Sequence, residues 1–445
     1  MKRFVALLAG AALIMSCILG GCGKQPAEQP TAPTEAVTEG ENTLSVYLAN
    51  TDALYTDALS SFQAAEDVTL DVKTFHSCEA MFNAMQEAFL SGGGPDVVLY
   101  NSRQGEIDGY KLARSGLFLP LEPFMGQLDP AIYPAALMDA GVIGGKRYFV
   151  PFSYSLIHAY TREELMNARG YSPSDNIYEM ILDESEALMD VLDNVPNTMS
   201  IFRSDPVNAF FEAAGVTLFD KTTGEVTVDK AELAEICRFV KTVYDNAEKT
   251  AALNGQFAND FAGAAKHFSF FSEDDSFLNM ARFYQSLFPA QTGSPMVAIP
   301  YHKLNNTEAL CASIVCFGGI GAHTKVPEKA YGLLQYILDF DVAAGWKDNE
   351  ETAMYYAPVS LTVYEKAVDK LSVNTGNGRV TIAPLTEENA DRLMKIPQKI
   401  TEAVIPNATL GLTAQTVLEP YFMGADSFDN CYDAFLEELR NYLSE

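Results

Sequence analysis

Residues able to do chemistry are scattered along this 445-residue chain and form no catalytic signature. The five histidines (His76, His158, His267, His302 and His323) lie far apart. No H-E-x-x-H helix, G-x-S-x-G turn, P-loop or G-x-G-x-x-G turn occurs. The acid pairs Glu163-Glu164 and Asp274-Asp275 could imitate a carboxylate dyad, but helix neighbours point to different faces and read as solvated surface. Cys311 and Cys316 sit in the apolar run Leu310–Phe317 at a spacing that suits no common zinc site. An enzyme, a cofactor and a bound metal are therefore not expected. What remains is binding chemistry: Asn50-Thr51-Asp52, His76 and Asn101 to Arg103 supply amides, hydroxyls and charges able to make paired hydrogen bonds to a polar ligand.

Strand ends position those three groups. Leu44 to Leu48 reads as a strand, and Leu54, Ala58, Phe62 and Ala65 mark one face of a helix. Val68 to Phe75 alternates as a second strand, and Met81, Met85 and Phe89 mark a second helix. Asp96 to Tyr100 is a buried strand, followed by a helix ending at Gly116. This alternation predicts a mostly parallel sheet with crossover helices, whose ligands bind outside the carboxyl ends of the strands. Further on, Gly318 and Gly319 follow an apolar strand and are expected to give hinge freedom. At the far end, Phe428, Tyr432, Phe435, Leu439 and Tyr442 form the apolar stripe of a closing helix.

Composition narrows the partners. The formal charge of −29 repels nucleic acid and anionic lipid. About 400 folded residues exceed what one core supports, so two lobes are expected. Lys2 and Arg3 precede an uncharged, mostly apolar stretch from Phe4 to Leu19, short for a membrane span. Leu19-Gly20-Gly21-Cys22 then resembles a bacterial lipobox, so residues 1–21 are expected to be a signal peptide and Cys22 the site of lipid attachment. Residues 22–42, with Pro26, Pro30 and Pro33 among polar residues, are expected to be a disordered tether. The five other cysteines after it, odd in number and widely spaced, predict buried thiols with at most one or two bridges.

Several blocks in the body resemble a known family. Gly94-Pro95-Asp96-Val97, Gly116-Leu117-Phe118-Leu119-Pro120-Leu121 and Gly145-Lys146-Arg147-Tyr148-Phe149-Val150-Pro151 are similar to segments of the extracellular solute-binding proteins (family 1, maltose-binding-protein-like) of ATP-driven importers. So are Phe261 to Ala265, Phe317-Gly318-Gly319, Ala357-Pro358-Val359 and Tyr421 to Gly424, and all fall in the family's order. The resemblance implies an α/β, two-lobed, type II periplasmic-binding-protein-like fold with three hinge crossovers. Each lobe would hold a mixed, mostly parallel sheet flanked by helices. Residues 43–153 and 316–357 would form the N-terminal lobe, and 154–315 and 358–445 the C-terminal lobe.

The same resemblance implies a monomeric, lipid-anchored protein on the outer face of the bacterial membrane, delivering a small solute to the permease subunits of an ABC transporter. It places the cleft at Asn50, Thr51, Asp52, Tyr55, His76, Tyr100, Asn101, Arg103, Tyr154, Ser155, Phe271, Ser272, Glu273, Tyr355 and Tyr356. Aromatic rings with amides and charges suit a sugar or oligosaccharide. Departures bear on the substrate. Gly144 and Tyr160-Thr161-Arg162 differ from the family pattern, and the single tryptophan, Trp346, leaves ring stacking to tyrosine and phenylalanine. Alternatives are a ferric ion on Tyr355-Tyr356, an anion, a peptide, or presentation of the ligand to a sensor.

Overall fold

The chain begins its first sheet with β1 (Thr43–Ala49), in which Leu44, Val46 and Leu48 are buried. A computed structural model describes residues 42–49, 53–102, 108–186, 199–201, 206–257, 270–273, 295–341, 356–368, 372–374, 379–381 and 387–444. Helix α1 (Ala53–Glu66) buries Leu54, Ala58 and Phe62, while Ala65 is exposed in its last turn. β2 (Thr69–Phe75) pairs in parallel with β1 and forms an edge, so its expected alternation is only partly used: Val68 is buried, Val72 is 40% exposed. Helix α2 (Cys78–Leu90) starts at Ser77, whose Oγ accepts from the Ala80 amide, and buries Met81 and Met85. β3 (Val97–Asn101) is buried throughout and pairs in parallel with β1. Helix α3 (Gly109–Arg114), capped by Asp108, ends at Ser115; Gly116 follows at φ +76°, a left-handed position that favours glycine.

The next segment carries the chain out of this sheet. After α4 (Ala135–Met138), the hairpin β4 (Val142–Ile143) and β5 (Lys146–Arg147) turns through Gly144 and Gly145, both at positive φ as a two-residue hairpin turn needs. β6 (Val150–Ser155) joins the first sheet, and Leu156-Ile157 alone separates it from β7 (His158–Arg162) in a second sheet. Helices α5 (Glu163–Arg169), α6 (Ile177–Glu186), α7 (Pro206–Ala214) and α8 (Lys230–Phe257) follow, with β8 (Met199–Ile201) and β9 (Phe270–Glu273). With β10 (Met296–Pro300) the second sheet runs β10-β7-β9-β8. Its core gathers Ile177, Phe210, Ile236, Val240 and Tyr301.

The return is direct. Tyr301 leads from β10 into β11 (His302–Lys303) and then β12 (Asn306–Ile320), the long central strand of the first sheet. Helix α9 (Pro327–Leu338), the short strand β13 (Ala357–Pro358), α10 (Leu361–Val368), the hairpin β14 (Ser372–Asn374) and β15 (Arg379–Thr381), α11 (Glu387–Lys399) and β16 (Ile400–Val404) follow. The first sheet reads β13-β6-β12-β3-β1-β2, with β11 and β16 also on β12. Helix α12 (Ala408–Phe422) enters the second core through Ala414, Leu418 and Phe422. Helix α13 (Phe428–Ser444) serves both cores: Cys431, Tyr432 and Phe435 lie in the second, Leu439 and Tyr442 in the first.

Three expectations shift. The chain crosses between the sheets at Leu156-Ile157, at Tyr301 and at residues 405–407, whereas crossings were expected at 315/316 and 357/358. Ala357 and Pro358 instead pair with Tyr154 and Ser153 inside the first sheet, and Val363, Tyr364, Leu393, Ile396 and Ile400 fill the first core. The second sheet is largely antiparallel, because the outgoing strand β7 and the returning strand β10 lie side by side; parallel pairing there is confined to β8–β9. Gly318 and Gly319 lie within β12, not at a hinge. A Cβ on Gly318 would meet Leu334 and Leu99 methyls at 2.9 Å, so close packing, not freedom, requires the glycine. The five cysteines of the body are buried free thiols.

Candidate functional site

The rim of strand ends is built at β3 and β6. Asn101 ends β3 and is buried. The Ser102 amide donates to Val315 O at 2.8 Å and its hydroxyl to Ile314 O at 2.9 Å, which clamps this end of β3 onto β12. Ser155 ends β6 and is buried at the first crossing, and His76 is exposed after β2. On β9, Phe271, Ser272 and Glu273 stand opposite Tyr160, Ala159 and His158 of β7. Tyr356 is half-buried against the first core. Asn50, Thr51, Asp52, Arg103 and Tyr355, with residues 22–41 and the Phe261 to Ala265 block, lie outside the described residues.

Three aromatic candidates turn out to hold the sheet together. Tyr55 is fully buried, and its hydroxyl donates to Tyr100 O and to Phe317 O, the latter at 3.2 Å. The Tyr100 ring stacks on Phe317 at 5.2 Å, with its hydroxyl turned to Met85 Sδ at 3.8 Å. Tyr154 is buried in the first core, and its hydroxyl has no hydrogen-bond partner among the described residues. Burial pushes the Tyr100 and Tyr154 phenols well above the usual tyrosine range, so both stay protonated. Large rings beside a central strand fill volume between sheet and helices, which is why they are unavailable to a ligand here.

Between the two cores the crossings are tied by charge. Ser313 on β12 donates its hydroxyl to Glu212 Oε2 on α7 at 2.7 Å. Lys303 Nζ lies 2.6 Å from Glu402 Oε2, joining the second and third crossings. Glu212 and Glu402 border a cavity of about 130 Å³ with an apolar wall of Phe211, Leu218, Ile405 and Leu410. Lys221 lines the same cavity; desolvation holds its ammonium below the usual lysine range, with Glu402 pulling the other way. Sequence reading missed this cluster, since its partners are about a hundred residues apart and carry no local pattern. Among the described residues no group of histidine, cysteine and carboxylate side chains could hold a metal ion, and no helix is long and apolar enough to cross a membrane.

No protein-family model and no curated protein sequence matches the chain. Solved structures do. The sugar-binding protein MalE from Xanthomonas citri is 14% identical, with a TM-score of 0.64 over 90% of this chain and 97% of its own. A periplasmic oligogalacturonide binding protein from Yersinia enterocolitica is 13% identical, with a TM-score of 0.63 over 90% and 99%. An extracellular solute-binding protein of family 1 from Alicyclobacillus acidocaldarius is 14% identical, with a TM-score of 0.61 over 91% and 98%. The likeness shows the fold: the chain has the α/β, two-lobed, type II architecture of periplasmic binding proteins, as the residue blocks implied.

Proposed function

We propose that this chain is an extracellular solute-binding protein, lipid-anchored through Cys22, that captures a sugar or oligosaccharide between its two cores. It hands the ligand to the permease of an ABC transporter and performs no chemistry on it. The observation that carries this reading is the architecture: two cores linked by chain crossings and by helix α13, with β3 ending at Asn101 beside the stretch of β12 that Ser313 ties to the second core. Shared architecture with binding proteins for sugars and oligogalacturonides supports the substrate class. The absence of hydrolase, kinase and dinucleotide motifs agrees with binding without turnover.

Within this reading the ligand contacts are Asn50, Thr51, Asp52, His76, Arg103, Phe271, Ser272, Glu273, Tyr355 and Tyr356. Asn101 and Ser155 shape the floor, and Tyr55, Tyr100 and Tyr154 support it from behind. The protein acts as a monomer held by residues 22–42, away from nucleic acid because of its −29 charge. A thermal-shift screen against oligosaccharides, monosaccharides, ferric salts and peptides tests the assignment. Stabilisation by one class of oligosaccharide supports it; stabilisation by iron or a peptide alone overturns the substrate.

A further inference from the structure

Lys221 separates the apolar cavity at the crossings from a second cavity of about 250 Å³. Arg114, Lys146 and Lys221 line this second cavity together with Tyr110, Thr222 and Thr223, and among the described residues no carboxylate lines it. On a chain carrying −29, a concave spot with three cations and no acid is out of keeping with its surroundings.

Each cation is held in place by its own element. Arg114 Nη1 donates to Tyr110 Oη at 2.5 Å, and the guanidinium packs over the Tyr110 ring at 5.0 Å, which leaves its other N–H groups for a ligand. Lys146 follows the Gly144-Gly145 turn, and the Gly144 amide donates to the Lys221 carbonyl at 3.0 Å, so turn and lysine move as one. The neighbouring acid is already engaged: Asp220 Oδ1 accepts from the Thr222 and Thr223 amides at 2.6 and 3.2 Å. The Lys221 ammonium has neither an ion-pair nor a hydrogen-bond partner among the described residues, although it is partly buried. A desolvated ammonium with no acceptor is costly, and an anion removes that cost.

We propose that this cavity is a binding site for a small multivalent oxyanion, of which inorganic phosphate is the simplest, held by Lys221, Lys146 and Arg114. It is distinct from the strand-end cleft. Arg114 and Lys146 belong to elements of the first sheet's side, and Lys221 lies on the segment after α7, whose Phe219 and Val226 pack against the first core and whose Val216 and Val228 pack against the second. Burial lowers the Lys221 pKa, and a bound anion raises it again. Phosphate binding therefore takes up a proton at alkaline pH and weakens as pH rises. Titratable groups near Lys221 from the packed elements are Arg114, Lys146, Tyr148, Tyr110, Glu402 and Glu212.

Calorimetric titration of the purified protein with potassium phosphate, against potassium chloride at matched ionic strength, tests the site. One saturable site for phosphate is expected, weakened about tenfold or more in Lys221→Met, as loss of one charge-assisted contact implies. A smaller loss is expected in Lys146→Met, an exposed position that leaves folding intact. Sugar binding in both variants stays unchanged, which separates this site from the cleft. Phosphate heat no different from chloride, or phosphate affinity unaltered in both variants, overturns the proposal.

Discussion

Ser313 on β12 donates its hydroxyl to Glu212 Oε2 on α7 at 2.7 Å, joining the central strand of the first sheet to a helix of the second core across 101 residues of sequence. The bond sits where the chain crosses between cores, so it opposes any relative motion of the two. Ser313→Ala removes one donor from a charged acceptor and is expected to cost about 1–2 kcal/mol. Urea unfolding of both proteins measures it. An unchanged midpoint would mean this bond adds nothing to stability beyond the Lys303–Glu402 pair and the α13 packing.

The tyrosines behind the strand ends separate supported from unsupported hydroxyls. Tyr55→Phe leaves Tyr100 O and Phe317 O without a shared donor, at an expected cost of about 1 kcal/mol. Tyr154→Phe removes a buried hydroxyl that has no partner among the described residues and is expected to be neutral or stabilising. Thermal melts of the two single variants check the opposite signs.

Gly318→Ala is expected to destabilise by about 1–3 kcal/mol through overpacking, because its Cβ would stand 2.9 Å from methyls of Leu334 and Leu99 and 3.1 Å from the Phe152 ring. Gly321→Ala should be worse, since there the obstacle is the Pro95 carbonyl oxygen at 2.0 Å, a backbone atom that has little room to yield. Denaturant midpoints of both variants rank them.

His302 makes the fold sensitive to mild acid. Its Nδ1 donates to Lys303 O at 2.8 Å, and its Nε2 accepts from the Ile177 amide at 3.3 Å at the start of α6. Desolvation lowers its pKa below the ordinary value near 6.5, against the pull of the Lys303 carbonyl and Glu179, while Lys399 lowers it further. The unfolded chain therefore takes up a proton below about pH 6.5 that the folded chain refuses. Stability is fully present above that pH and falls as pH drops toward the folded pKa. Urea midpoints at pH 7.5 and 5.5 should differ in the wild type, and by less in His302→Gln.

Much of the first sheet was legible in the sequence, because β1, β3 and α2 bury apolar residues in the pattern read there and Gly116 marks an end that local chemistry demands. The crossings were less so. Two residues, Leu156 and Ile157, carry the chain from one sheet to the other, and both are as apolar and buried as the strands they join. The resemblance to the family therefore put the later crossings too far along β12 and too early at Ala357. At the candidate site, Asn101 and Ser155 fall at strand ends as expected, while Tyr55, Tyr100 and Tyr154 went into the core. Residue type alone does not separate a stacking ring from a packing ring. The charge pairs at the crossings were invisible, since Lys303 and Glu402 meet only after both have returned to the first sheet.

Isothermal titration of the purified protein with a panel of oligosaccharides tests the binding function most directly. One ligand of the panel is expected to give saturable, one-to-one binding, lost on substitution of Asp52 and Arg103 by alanine. No heat with any sugar at millimolar concentration would contradict the account.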